Sequence, residues 1–226
     1  MNGGQPDLIV LPDPVAVARR GAELVGAAID AALDATGRAD VALAGGTTPG
    51  LLYDELTKTR SNWSGVHLWI GDERCVPYDH PDSNVKMARE RLPAPGAVLH
   101  MPPADGDAEK RALAYSFQLK DRALDLVLLG LGEDAHTASL FPNDPALRDE
   151  RRMVFTEAAP KPPPERVSLG LTALREAGAR LMLVTGAGKR DALGWALGEP
   201  DPTYPSSLLL ACGTTVLADE AAAPAA

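Results

Sequence analysis

Cysteine is scarce in this chain: Cys75 and Cys212 stand alone among 226 residues, far apart and in no spacing that suits a metal or a redox pair. A disulfide framework is thereby excluded as a source of stability, and reduced thiols in a cytoplasm are expected. Long apolar runs are missing as well, since no stretch reaches the about 18 uninterrupted apolar residues that a membrane-spanning helix needs. The opening MNGGQPDLIV lacks the basic and apolar regions of an export signal. Positive charge is in deficit: 22 Lys and Arg against 31 Asp and Glu give a net charge of -9 and a pI near 4.9. Nucleic acid is excluded as a partner on that ground, because binding a phosphate backbone needs a basic surface. The same field opposes any small anion, which must then be held by a local cluster of Arg and Lys.

What is present describes an ordinary globular chain, with 45% hydrophobic and 23% charged residues. Its length suits one α/β domain, expected over 1–220, with a disordered tail over 221–226. Apolar, β-rich segments alternate with amphipathic ones, the pattern of a mostly parallel sheet with crossover helices. Strands are predicted at 7–11, 40–44, 66–71, 97–101, 125–131, 153–158, 166–170, 180–185 and 214–218. Helices are predicted at 49–58, 83–92, 105–120, 172–177 and 188–197. A first helix follows Asp13-Pro14, an N-cap and a first-turn proline. Its apolar stripe runs Val15, Ala18, Ala22, Val25, Ile29, Leu33. The proline-rich stretches 159–164 and 200–205 read as surface loops.

Strand 40–44 runs into Gly45-Gly46-Thr47-Thr48-Pro49-Gly50 and then a helical pattern. Glycines let the backbone approach a phosphate, the first helical N–H groups lack internal partners, and threonine hydroxyls add donors. The same residues also suit a tight turn with Thr48 as a plain N-cap and Pro49 at the first helical position. Arg166, opening a late strand, and Lys189, beginning the helix after another, are candidate cations for an anion at the sheet's edge. Two motifs are rejected. Gly188-Lys189 is not a nucleotide P-loop, because Leu183 stands where the first glycine belongs and Arg190 where Ser or Thr is required. Gly130-Leu131-Gly132 does not open a dinucleotide-binding helix, because Pro142 interrupts the segment that follows.

That segment continues into Asp134-Ala135-His136-Thr137-Ala138-Ser139-Leu140-Phe141-Pro142, an acid and a histidine two apart just past an apolar strand. A neutral imidazole can take a proton from water near physiological pH and return it later. After strand 66–71 come Asp72, Glu73 and Arg74, then His80, Ser83 and Asn84, either a solvated loop with an N-cap or a set of substrate contacts. His67 and His100, inside or at the end of strands, read as structural.

Together these segments resemble the 6-phosphogluconolactonase family: GGTTP at 45–49, DERCVPYDHPDSN at 72–84, GLGEDAHTASLFP at 130–142, and the pair Arg166 and Lys189. The resemblance implies a Rossmann-like α/β fold with helices on both faces, no metal or other cofactor, and water as the attacking group. The partner would be a phosphosugar lactone; a monomer is expected, although nothing in the sequence fixes the oligomeric state. The phosphate would lie against Gly45, Gly46, Thr47 and Thr48 with Arg166 and Lys189. His136 would be the general base; Asp134 would orient it or hold a substrate hydroxyl; Arg74 would meet the charge developing on the carbonyl oxygen. Asp72, Glu73, Ser83 and Asn84 are possible substrate contacts. One position departs from the family pattern: Ala135 stands where a glycine is usual, and alanine disfavours positive φ.

Two rivals share parts of this pattern. An amino sugar phosphate deaminase would place a further carboxylate soon after the histidine, but no acid follows His136 until Asp144. A phosphosugar-sensing regulator would carry a DNA-binding domain, for which a first strand near residue 7 leaves no room.

Overall fold

The computed structural model describes residues 4–120 and 122–224. Asp13 starts α1 (Pro14–Thr36) as expected, its carboxylate accepting from the Ala16 amide at 2.8 Å, and Gly37 ends it with φ 74. Val15, placed on the apolar stripe from spacing alone, is 50% exposed; Val17 and Gly21 face the core instead. After α1 follow β2 (Ala39–Leu43), α2 (Thr47–Thr59), β3 (Val66–Ile70), β4 (Asp72–Arg74), α3 (Asn84–Arg91), β5 (Val98–His100) and α4 (Ala108–Leu119). The second half holds β6 (Leu126–Gly130), β7 (Met153–Thr156), β8 (Arg166–Leu169), α5 (Leu171–Glu176), β9 (Ala179–Val184), α6 (Arg190–Ala196), α7 (Ser207–Leu210) and β10 (Thr215–Asp219). The first strand, β1, is Asp7–Leu11.

Seven strands form one parallel sheet in the order β1-β10-β9-β6-β2-β3-β5. Alternation along the central strands feeds two cores. Val127, Leu129, Met182 and Val184 pack on the side of α4, α5 and α6, while Leu126, Leu128, Leu181 and Leu183 pack on the side of α1, α2 and α3. Strands buried on both faces read as continuous apolar runs, which is why LDLVLLG is recognisable without a polar alternation. From β2 the chain proceeds to β3 on one side, and from β6 to β9 on the other. The carboxyl ends of β2 and β6 therefore flank the crevice where strand order reverses.

Two of the predicted strands do not join this sheet. β7 and β8 pair antiparallel with each other and with β4 in a separate three-stranded sheet, β4-β8-β7. The predicted strand 66–71 ends one residue early, and Gly71 is the pivot. Its amide still donates to Leu43 of the large sheet at 2.9 Å, whereas its carbonyl accepts from Leu169 of the small one at 2.8 Å. Strand periodicity reports burial but not which sheet supplies the partner, so this split was hidden. Of the tail expected to be disordered, Ala222 is buried and its amide donates to Asp219 Oδ1 at 2.8 Å; the lack of an apolar periodicity gives no sign of a turn anchored by a preceding carboxylate. Residues 225 and 226 lie outside the described part.

Candidate active site

The crevice between β2 and β6 is lined by Gly45 and Gly46 from one strand end and Gly132 and His136 from the other. Arg74 and Lys189 also face it. It opens outward into a wider lobe of about 760 Å³ that shares Asp72, Arg74, His136 and Lys189 and adds Asp134, Lys161, Arg166, Trp195 and Tyr204. The loops quoted from distant parts of the sequence thus meet in one cleft.

Its β2 side is built around Ala44, whose amide and carbonyl are both bonded to the buried Tyr53 hydroxyl, at 3.0 and 2.7 Å. Helix α2 begins at Thr47, two residues before the predicted start, with Gly46 at its N-cap at φ 105. Thr48 is therefore not the N-cap, and Pro49 is not the first helical residue; it occupies the third position, still within the turn whose N–H groups have no internal partner. The Thr48 hydroxyl bonds the Thr185 hydroxyl at 2.7 Å instead, tying the β2 loop to the end of β9. Thr47 is exposed, and neither threonine lines the crevice. Gly45 is required by a neighbour: a Cβ there would come within 2.1 Å of Asn84 Oδ1.

The acid-histidine segment forms a tight turn. The Gly132 amide donates to the His136 carbonyl at 2.8 Å, and Ala135 sits at φ 62, the left-handed conformation that its alanine identity disfavours. Ala138 repeats this at φ 49. The conformation presses Asp134 Oδ1 to 2.5 Å from His136 Nδ1 and 3.2 Å from the His136 amide. A bond to a carboxylate puts the ring proton on Nδ1 and leaves the Nε2 lone pair free. Gly132 leaves the room for this pair, since a Cβ on it would fall 2.0 Å from Nδ1. Burial works to raise the Asp134 pKa, but the bond to His136 and the histidine's charge outweigh it and hold the carboxylate at about 2.

The DERCVPYDHPDSN segment divides into two kinds of residue. Glu73, 1% exposed, accepts from the Arg74, Asn84 and Val85 amides and from Ser83 Oγ, at 2.7 to 2.9 Å. Burial still raises its pKa against those four bonds. It caps α3 from below, and Ser83 is the N-cap, accepting from the Lys86 amide at 3.2 Å. As possible substrate contacts both are corrected: their polar atoms are consumed inside the fold. Asn84 and Asp72 do face the crevice, Asn84 Nδ2 donating to the Asp72 carbonyl and carboxylate. Asp72 Oδ2 also accepts from Ser139 Oγ at 2.7 Å, a bond across 67 residues that no spacing in the sequence signals.

The cations stand together in the wider lobe. Arg74 Nη1 donates to the Asp82 carbonyl at 2.5 Å, while its buried Nε has no partner among the described residues. Arg166 donates to the carbonyls of Pro163 and Lys161 at 2.7 and 3.0 Å, holding the proline-rich loop 159–164 as a wall of the cleft. Burial, and after it the like charge of Arg74, lowers the Arg166 pKa. Arg166 does not touch the inner crevice beside Gly45; Lys189 alone of the two late cations spans both parts. Sequence reasoning missed Lys161, Trp195 and Tyr204, because loop composition alone gives no sign that a loop folds back onto a strand end. His67 and His100 lie elsewhere, bonded to each other at 2.8 Å.

The family model described as glucosamine-6-phosphate isomerases/6-phosphogluconolactonase matches residues 12–217. The chain is 36% identical to the 6-phosphogluconolactonase of Nostoc sp., covering 96% of both sequences. It is 39% identical to that of Mycobacterium tuberculosis, over 85% of this chain and 86% of the relative. Among solved structures, a 6-phosphogluconolactonase from Shewanella baltica superposes with a TM-score of 0.89 at 27% identity, covering 95% of this chain and 98% of that one. This chain belongs to the glucosamine-6-phosphate isomerase/6-phosphogluconolactonase family.

Proposed function

We propose that this protein hydrolyses 6-phospho-D-glucono-1,5-lactone to 6-phospho-D-gluconate, with His136 as general base. The observation that carries the reading is the sharing of one cleft by an imidazole fixed through Nδ1 and by Gly45, Gly46 and Lys189, which suit a phosphate. His136 Nε2 takes a proton from water as the water oxygen bonds to the lactone carbonyl carbon. The tetrahedral oxyanion is met by the positive charge of Arg74, which lines the crevice. Collapse breaks the bond between that carbon and the ring oxygen, and the imidazolium returns its proton to that oxygen. Asp134 keeps the ring in one tautomer and stabilises the imidazolium. Arg166 stands beside Arg74 in the outer lobe and adds to the positive field there. The chain is proposed to act as a monomer in the cytoplasm, and both cysteines are free.

An amino sugar deaminase is disfavoured by a specific contact. Asp144, the first acid after His136, has Oδ1 bonded to the Ala146 amide at 2.8 Å and Oδ2 to the Thr156 hydroxyl at 2.6 Å. It is a structural cap. The test follows loss of 6-phosphogluconolactone above its spontaneous hydrolysis, with ammonia release from glucosamine 6-phosphate in parallel. Lactone loss without ammonia is expected; ammonia release without accelerated lactone loss would overturn the reading. Lys189→Ala is expected to raise KM about tenfold or more with a smaller effect on kcat, as for loss of a charge-assisted phosphate contact.

A further inference from the structure

The wider lobe of the cleft carries a feature that lactone hydrolysis as described leaves unused. Trp195 on α6 is 43% exposed, although a large apolar side chain gains by burial. It stacks on Tyr204, ring centroids 5.3 Å apart and planes 20° from parallel, and both rings line the lobe. His136 and Phe141, centroids 4.7 Å apart, also line it. The aromatic pair is held in register with the His136 turn by backbone bonds. The Ser206 amide donates to the Ala135 carbonyl at 3.1 Å, and the Tyr204 amide donates to Asp201 at 2.8 Å. Trp195 itself lies six residues past Lys189, so the proposed phosphate-binding cation and the indole descend from one short segment.

We propose that Trp195, backed by Tyr204, is a specificity-determining residue: its indole face receives the C–H face of the six-membered lactone ring while the phosphate is held at Lys189. This rests on the lactonase reading for the identity of the ring. The chemistry is that of a negative aromatic face against polarised C–H groups. A gluconolactone ring carries its hydroxyls around the rim and presents C–H groups above and below, so it can lie flat on an indole without stranding a polar group. Rings with an axial hydroxyl on that face are rejected because the hydroxyl would be desolvated against carbon. The wall therefore selects the shape of the ring, whereas the glycines and cations select the phosphate.

Two measurements test this. Trp195→Ala is expected to raise KM for 6-phosphogluconolactone about tenfold while lowering kcat far less, and Trp195→Phe, which keeps an aromatic face, to recover most of the loss. The other two tryptophans, Trp63 and Trp69, are each 1% exposed and absent from the cleft lining, so ligand-dependent emission reports on Trp195. Titration with 1,5-anhydroglucitol 6-phosphate, a phosphorylated six-membered ring with equatorial hydroxyls and no carbonyl to hydrolyse, is expected to change the emission of the wild type but not of Trp195→Phe, and inorganic phosphate to leave both unchanged. The inference falls if Trp195→Ala leaves KM within about twofold, which is less than loss of a stacking contact predicts, or if inorganic phosphate alone reproduces the emission change. A wild type that does not hydrolyse the lactone yet responds to 1,5-anhydroglucitol 6-phosphate through Trp195 would overturn the lactonase reading and keep the aromatic wall.

Discussion

Two histidine pairs in this fold differ in what surrounds them. His136 bonds a carboxylate at 2.5 Å on a turn beyond β6, in the open cleft. His67 bonds His100 at 2.8 Å between β3 and β5, where Trp69 stacks on His100 with centroids 3.8 Å apart. Burial first, then the charges of His67 and Arg38, pushes His100 down to about 4, and burial likewise lowers His67. A ring kept neutral by burial and a like neighbour stabilises packing and offers no proton exchange. A ring whose far nitrogen is free, and whose protonated form has a carboxylate waiting, can accept a proton and hold it briefly. The residue type is the same, and the partner decides the role.

The largest expected effect comes from removing the ring that lines the cleft. His136→Ala should lower kcat by about 10²–10⁴-fold with the fold intact, as for loss of a general base; steady-state kinetics together with an unchanged circular dichroism spectrum would check it. Next comes the turn that holds that ring. Ala135 is fully buried at φ 62, so Ala135→Val should lower stability by about 2–4 kcal/mol, because a β-branched residue tolerates neither that φ nor that space. Ala135→Gly trades relief of strain against a lost buried methyl and should stay within about 0.5 kcal/mol of wild type. Urea denaturation of both variants separates the two predictions. Asp134→Asn should then reduce kcat by about 10–100-fold, the scale of losing a group that orients a functional histidine, and should leave KM less affected.

The smallest effect belongs to the closed pair. His100 binds its proton near 4 when folded and near its ordinary 6.5 when unfolded. Between these values the unfolded chain holds more protons, so stability should rise with pH across that window and lose this dependence below it. His100→Asn should flatten that part of the stability profile without altering the pH dependence of kcat. If instead the kinetic profile shifts and the stability profile does not, the two pairs have been assigned the wrong way round.

Much of the site was legible because its chemistry is local. Asp134 and His136 lie two apart, Gly45 and Gly46 directly follow a strand, and Lys189 follows another, so strand-end position alone placed them at the rim of a parallel sheet. Glu73 and Ser83 misled for a physical reason. A charged residue after a strand looks the same in sequence whether it meets a ligand or caps a helix, and only the four bonds to Glu73 distinguish the cases. Thr48 misled in a similar way, since a hydroxyl before a helical proline has the features of an N-cap until its partner across 137 residues is seen.

The sequence by itself determined the alternation of strands and helices and the identity of the acid-histidine turn, because periodicity and short-range spacing are properties of the chain alone, and its motifs carried the resemblance that pointed to the family. Only the tertiary structure decided that β7 and β8 leave the main sheet, that Arg166 braces a proline-rich wall outside the inner crevice, and that Trp195 faces the same space as His136. Each of these depends on a contact between segments far apart in the chain. Burial pattern states that a residue has a partner, and folding in three dimensions chooses which one.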